Sequence, residues 1–300
     1  MSLIQCRSLS KRYRGAVALD NLDLTLDAGE PIALIGPNGA GKTTLLSVLC
    51  GFIKPSSGSA SIAGHAPGAS MLSGQLAALP QDALLDPRLS VGRQLRFFAQ
   101  LQGMSKRQAH SEVLRVLELV ALQDSTKTLP TELSHGMRKR IAIAQALMGS
   151  PTVVLLDEPT AGIDPPNAKM IRELVRNQSG NTTFIVSSHN LDELERLCST
   201  VVYLENGRLI SHGPAADDDL EHDVLTLRAP TLVAEEFTTL ALALPNVLDV
   251  EVTTQGDFLI KVANDLQASV EILTLLADRG WRYRQLSRGK TLEERLYGNS

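Results

Sequence analysis

Over the first 210 positions, apolar residues fall into two kinds of pattern. Pro31-Ile-Ala-Leu-Ile35, Thr152-Val-Val-Leu-Leu156 and Thr183-Phe-Ile-Val-Ser187 are continuous runs of strand length, the pattern of strands covered on both faces. Between them, residues 111–122 and 141–148 carry apolar side chains at spacings of three and four, which predicts helices. Short buried strands alternating with longer helical periods predict an α/β domain with a mostly parallel sheet.

The pattern changes between residues 211 and 223, where His212-Gly213-Pro214 is followed by the acidic run Asp217-Asp218-Asp219. A charged, Gly/Pro-containing stretch of this kind marks a domain boundary. Beyond it a strand is predicted at 224–228, a helix at 231–243 and a strand at 247–253. A Gln255-Gly256-Asp257 turn then leads to a strand at 258–262, a helix at 266–278 and a strand at 282–286. The order β-α-β-β-α-β is a ferredoxin-like α+β arrangement. The expected division is therefore 1–215 for the larger domain and 222–300 for the smaller. Trp281 and Tyr283 are expected to be core or interface residues, since no catalytic grouping surrounds them.

Composition narrows the function classes. The chain has 300 residues, 43% of them hydrophobic, and 29 Lys and Arg against 33 Asp and Glu give a formal charge of −4. That balance argues against a surface built to bind nucleic acid, although a local basic patch such as Arg138-Lys139-Arg140 is compatible with it. Cys6, Cys50 and Cys198 are odd in number and far apart, so they form neither a disulfide framework nor a CxxC site. His65, His110, His135, His212 and His222 share no metal-ligand spacing, and no zinc is expected. The first fourteen residues hold Lys11, Arg12 and Arg14 without an apolar core, and no window approaches the roughly 18 apolar residues of a membrane helix. The chain is expected to work in the cytoplasm, with any membrane role supplied through a partner.

Chemistry enters at Gly36-Pro37-Asn38-Gly39-Ala40-Gly41-Lys42-Thr43, which matches G-x-x-x-x-G-K-[ST]. A buried strand precedes it and a helix at 44–50 follows. In such a loop the glycines turn backbone N–H groups towards phosphate oxygens, and the helix N-terminus adds partial positive charge. Lys42 would reach the β- and γ-phosphates, and the Thr43 hydroxyl would hold Mg²⁺. The second apolar run ends in Asp157-Glu158. Asp157 would hold Mg²⁺ through its water shell, and Glu158 would align and deprotonate an attacking water, which implies hydrolysis rather than mere nucleotide binding.

Leu133-Ser134-His135-Gly136-Met137, then Asp157-Glu158-Pro159-Thr160, then His189 follow the phosphate loop in that order. With these motifs, residues 1–212 resemble the nucleotide-binding subunits of ABC transporters. The resemblance implies a P-loop NTPase of ABC type, with a mixed sheet core and a helical subdomain over about 82–150. It implies that Tyr13 stacks on adenine and that Gln81 touches Mg²⁺ or its water and moves with a membrane partner. Asp164, in Ala161-Gly162-Ile163-Asp164, would cross a dimer interface, and His189 would contact the γ-phosphate. The loop residues Gly36, Pro37, Asn38, Gly39, Ala40 and Gly41, with Lys42, Thr43 and Thr44, would cradle ATP. The signature departs from Leu-Ser-Gly-Gly-Gln, since His135 replaces the first glycine and Met137 the glutamine, while Ser134 and Gly136 remain. Ser134 suits the N-cap of the helix that follows, and the resemblance adds a γ-phosphate contact in trans.

In this family the phosphate loop and signature of one chain face different nucleotides. The resemblance thus implies a head-to-tail dimer of two copies enclosing two ATP molecules and driving integral membrane permease subunits from the cytoplasmic face of the membrane, without direct nucleic acid contact. Residues 82–95 would line the groove for the permease. The smaller domain, closing on Thr291-Leu-Glu-Glu-Arg-Leu-Tyr297, resembles the tails of exporter subunits that work with ABC-2 permeases. An importer motor, a soluble ABC ATPase acting on ribosomes or DNA, and a module using ATP only as a clamp remain as alternatives. One phosphate loop, no extended heptads and no paired cysteines disfavour the second; Glu158 and His189 disfavour the third.

Overall fold

The computed structural model describes residues 2–188, 191–214, 224–253 and 256–289. Two compact units, Met1–Gly213 and Pro214–Ser300, divide the chain. In chain order the larger unit begins with β1 (Ser2–Tyr13), β2 (Ala16–Asp27), β3 (Ile32–Ile35), α1 (Lys42–Leu49), β4 (Ser57–Ile62) and β5 (Leu76–Leu79). The helices α2 (Val91–Leu101), α3 (Lys106–Leu119) and α4 (His135–Ala146) come next. It continues with β6 (Val153–Asp157), α5 (Pro165–Gln178), β7 (Thr183–Ser187), α6 (Leu191–Leu197), β8 (Thr200–Glu205) and β9 (Arg208–Pro214).

Two sheets organise this unit. One is three-stranded and antiparallel, in the order β2-β1-β4; the other has six strands in the order β5-β6-β7-β3-β8-β9. From β5 through β8 the larger sheet is parallel. Strands β3, β6 and β7 are buried along their whole length, as expected when both faces are covered. The antiparallel sheet is an addition to the α/β pattern read from the apolar runs. Its β2 buries Leu22, Leu24 and Leu26 while Asp23, Thr25 and Asp27 face out, the period-2 alternation of a strand with one wet face. Helix α1 lies between the sheets, meeting β2 and β4 on one side and β6 on the other. Its Leu45, Leu46, Val48 and Leu49 join one core with Leu9, Leu24, Leu34 and Leu155, each such burial contributing roughly 1.5–3 kcal/mol. The loop at the N-terminus of α1 is therefore held on a rigid element.

Helix α3 starts five residues before its apolar period because a polar capping box opens it. Ser105 Oγ accepts from the Gln108 N–H at 3.4 Å, and the Gln108 side chain accepts from the Ser105 N–H at 2.9 Å. Helix α4 likewise starts at its cap, with the Met137 N–H donating to Ser134 Oγ at 3.2 Å. Strands β8 and β9 are joined by Asn206 and Gly207, whose φ of 49° and 78° are those of a two-residue hairpin turn. Burial pushes the Cys6, Cys50 and Cys198 thiols up to about 12, so these residues behave as small packing groups.

The smaller unit contains β10 (Val224–Arg228), α7 (Ala234–Ala241), β11 (Val247–Val252), β12 (Phe258–Val262), α8 (Asp265–Asp278) and β13 (Gln285–Arg288). Its antiparallel sheet has the order β11-β12-β10-β13, the ferredoxin-like topology. Phe237 packs edge-on against Phe258 at 4.5 Å and Trp281 at 6.2 Å between centroids, so Trp281 lies half-buried against the core, whereas Tyr283 is exposed. The last strand begins later than the 282 expected. Trp281 is drawn onto the core, and the chain reaches β10 only where the Arg284 N–H donates to the Arg228 carbonyl at 2.7 Å. Residues 217–219, Gln255 and the 291–297 tail lie outside the described residues.

Candidate functional site

The phosphate loop runs from the end of β3 to the first turn of α1, backed by three other segments. Gly36 has φ +148° and lies so close to β8 that a Cβ there would sit 2.1 Å from the Leu204 carbonyl oxygen. Gly41, with φ +103°, abuts β2, where a Cβ would meet the Ala18 carbonyl at 2.4 Å. The Gly207 N–H donates to the Ala40 carbonyl at 3.0 Å. Both glycines are thus required by close backbone approach as well as by their own conformation. Pro37, Asn38 and Gly39 form the exposed crest, Ala40 is buried, and Thr44 is half-buried on α1. The buried Lys42 side chain curls back, donating from Nζ to the Gly36 carbonyl at 2.6 Å and the Pro37 carbonyl at 3.1 Å. Burial lowers its ammonium from the ordinary lysine range, and Glu158 and Asp157 pull it back up.

The Asp157 carboxylate joins this loop through hydroxyl groups, and Glu158 is tied in through its main chain. Thr43 Oγ1 donates to Asp157 Oδ2 at 2.9 Å, and Ser187 Oγ donates to Asp157 Oδ1 at 2.5 Å. The Glu158 N–H donates to Ser187 Oγ at 2.9 Å and to the Ser187 carbonyl at 3.2 Å. Strand β7, which separates β3 from β6, thereby supplies the fastening for both acidic residues. Glu158 is buried and has φ 49°, a left-handed conformation unusual for a residue with a Cβ. The turn redirects the chain immediately after β6.

The remaining predicted residues cluster less tightly. Tyr13 is exposed at the end of β1, and the Lys11 ammonium sits 5.2 Å from its ring centroid, occupying one face of the ring. The Gln81 side chain is exposed just after β5, and its carbonyl accepts from Lys139 Nζ at 3.0 Å. Ser134 caps α4 as the sequence suggests. A Cβ on Gly136 would lie 2.6 Å from the side chain of Asn167, and Asn167 Nδ2 donates to Asp164 Oδ1 at 2.6 Å. This contact holds the Asp164 carboxyl below its usual range. The His135 imidazole reaches towards the segment that contains Asp164, with Nε2 3.9 Å from where a Gly162 Cβ would stand. His189 lies outside the described residues.

Three residues near these positions carry no motif signal of their own. Ser187 was visible only as part of an apolar strand, Asn167 as a polar position in a helix, and Lys139 as one charge in a basic row. A fourth arrangement ties α6 to the segment after Glu158. Glu193 accepts from Thr160 Oγ1 and from Arg172 Nη1, both at 2.8 Å.

Comparison with known proteins agrees with this geometry. The family described as ABC transporter matches residues 19–161. The Nod factor export ATP-binding protein I of Cupriavidus metallidurans is 37% identical over 218 residues, covering 71% of each chain. The linearmycin resistance ATP-binding protein LnrL of Bacillus subtilis is 31% identical over 256 residues, covering 83% of this chain and 82% of that one. A solved ATP-binding subunit of an ABC transporter superposes with a TM-score of 0.64 at 29% identity, over 71% of this chain and 90% of the other. A nucleotide-free ATP-binding cassette at 23% identity and TM-score 0.64 shares the fold. With the phosphate loop, the capped signature helix and the Asp157-Glu158 pair in place, the chain belongs to the ATP-binding subunits of ABC transporters, a family that hydrolyses ATP.

Proposed function

We propose that this chain is the ATP-hydrolysing motor of an exporter, working as a head-to-tail pair of copies on separate integral membrane subunits at the cytoplasmic face. The observation that carries the reading is the hydrogen-bonded series Thr43–Asp157–Ser187–Glu158, which brings a candidate metal-binding hydroxyl, a candidate metal-binding carboxylate and the main chain of a candidate base together at the end of one sheet. Thr43 Oγ1 and Asp157 Oδ2 are hard oxygen donors 2.9 Å apart, a donor set suited to Mg²⁺. Thr43, Asp157 and Gln81 would hold that ion, which when bound neutralises charge developing between the β- and γ-phosphates.

Lys42 leaves the Gly36 and Pro37 carbonyls for phosphate oxygens, an exchange of neutral acceptors for charged ones. The loop N–H groups and the start of α1 bind the remaining oxygens. Glu158 takes the proton of the attacking water. Tyr13 offers the ring face opposite Lys11 to adenine. Ser134, Gly136 and Asp164 act on the nucleotide held by the other copy.

Export is supported by the relatives named for Nod factor export and linearmycin resistance. No helix among the described residues is long and apolar enough to cross a membrane. The segment after Gln81 suits docking of the membrane subunits. Gln94 accepts from the Asp86 N–H at 2.8 Å and donates to the Asp86 and Leu89 carbonyls, folding a loop that leaves Leu84 fully in solvent. The test is Glu158→Gln. Hydrolysis should be lost while ATP-bound dimers accumulate, and unchanged turnover would overturn the role of Glu158.

A further inference from the structure

Helix α4 carries the basic row Arg138-Lys139-Arg140, whose members do different things. Arg138 Nη1 donates to the Leu133 carbonyl at 2.6 Å and Arg140 Nη1 to the Val120 carbonyl at 2.8 Å, both within the helical segment. Lys139 instead crosses to the parallel sheet. The residue is 8% exposed, and its Nζ donates to the Gln81 carbonyl at 3.0 Å. Burial lowers its ammonium from the ordinary lysine range, and the Asp82, Asp157 and Glu158 carboxylates pull it part of the way back up. A buried ammonium is unfavourable without such compensation, so this cation is confined to the junction between the Gln81 segment and the acidic pair.

We propose that Lys139 is a positioning residue that fastens the Gln81 segment to the signature helix beside Asp157 and Glu158, so that Gln81 meets the metal-bound nucleotide without first being ordered. The inference rests on the reading of Gln81 as a contact to Mg²⁺ or its water. The bond is to the main chain, so it constrains where the segment lies and leaves the Gln81 side chain free to act. Because Ser134 opens the same helix, a displacement of the Gln81 segment by a membrane partner is passed through Lys139 to the signature of the same chain.

The experiment compares Lys139→Met, Lys139→Arg and Gln81→Ala in the full-length protein. One readout is hydrogen exchange of the amides at 81–83 without nucleotide, with the amides of α5 as internal reference; the other is the Mg²⁺ concentration giving half-maximal ATP hydrolysis. Lys139→Met should speed exchange at 81–83 and raise the Mg²⁺ requirement, each about tenfold, the size expected for losing a bond from a charged donor. Lys139→Arg should restore both, and ATP affinity in EDTA should stay at the wild-type value. Should Lys139→Met speed exchange in α5 as well, Lys139→Leu, which likewise has no donor for the Gln81 carbonyl, takes its place. If Gln81→Ala leaves the Mg²⁺ requirement unchanged, the reading of Gln81 fails. If Gln81→Ala raises the requirement but loss of the lysine leaves either readout at wild type, the fastening by Lys139 is overturned.

Discussion

Replacing Ser187 with alanine removes one oxygen from a side chain that is fully buried and bonded to both acidic residues of the site. Two interactions go. The first is the 2.5 Å bond donated to Asp157 Oδ1, a hydroxyl-to-carboxylate contact worth about 1.5–3 kcal/mol. The second is the 2.9 Å bond accepted from the Glu158 N–H. That N–H keeps the Ser187 carbonyl at 3.2 Å, so its loss costs less, about 0.5 kcal/mol. The sum, about 2–3.5 kcal/mol, acts on groups proposed to hold the metal and to deprotonate water. If it appears in the transition state, turnover falls roughly 30- to 400-fold. Lys42 and the loop amides do not depend on Ser187, so ATP affinity measured without Mg²⁺ should stay within about threefold. Steady-state hydrolysis and nucleotide titration of the purified variant check both figures. Turnover within about twofold of wild type, with only a lowered melting temperature, would refute the catalytic part of the reasoning and leave Ser187 as a packing residue.

Gly36→Ala should abolish nucleotide binding or folding, because the new Cβ meets a backbone carbonyl at 2.1 Å, whereas Gly39→Ala has nothing within 4 Å and only a left-handed φ of +83° to bear. The second change should cost about 1–2 kcal/mol, a few degrees in melting temperature, with ATP still bound. Glu112 caps the end of α4 by accepting from Arg115 Nε at 2.9 Å and from the Gly149 N–H at 2.7 Å. Arg115 first, and the Gly149 N–H with it, hold its carboxyl below the usual range. A depressed carboxyl stabilises the fold above its unfolded pKa, and that contribution is lost as pH falls through the folded value. Glu112→Gln should therefore lower stability by about 1–2 kcal/mol at neutral pH and by less in acid, read from denaturant unfolding at several pH values.

The continuous runs at β3, β6 and β7 declare themselves because a strand buried on both faces needs an apolar side chain at every position, and the phosphate loop because backbone crowding around Gly36 and Gly41 admits no side chain. Five of the six elements of the smaller unit are as readable from their periods, while the last strand begins at Gln285 rather than 282 because Trp281 is drawn onto the core. The alternation of Leu22, Leu24 and Leu26 with Asp23, Thr25 and Asp27 was also present in the sequence. It marks a half-exposed strand but does not say which sheet receives it, and β1 and β2 form a separate antiparallel layer. Strand order is a long-range outcome: nothing local shows that β7 enters between β3 and β6. For the same reason Ser187 could not be assigned, since a serine ending a buried strand looks alike whether its hydroxyl meets solvent or, as here, two acidic residues. Lys139 was hidden because a charge row reads as a solvated face, and only the packing of α4 against the sheet turns its middle member inward.

The central claim, that each ATP is hydrolysed between the phosphate loop of one copy and the signature of the other, is tested most directly by mixing two inactive variants. Lys42→Ala disables the loop half of a site, and Ser134→Arg disables the signature half. In a mixed pair both lesions fall in one site, and the other site is intact. The account predicts that neither variant hydrolyses ATP alone and that hydrolysis reappears on mixing. Full activity of Ser134→Arg by itself, or a mixture no more active than its separate parts, would contradict it.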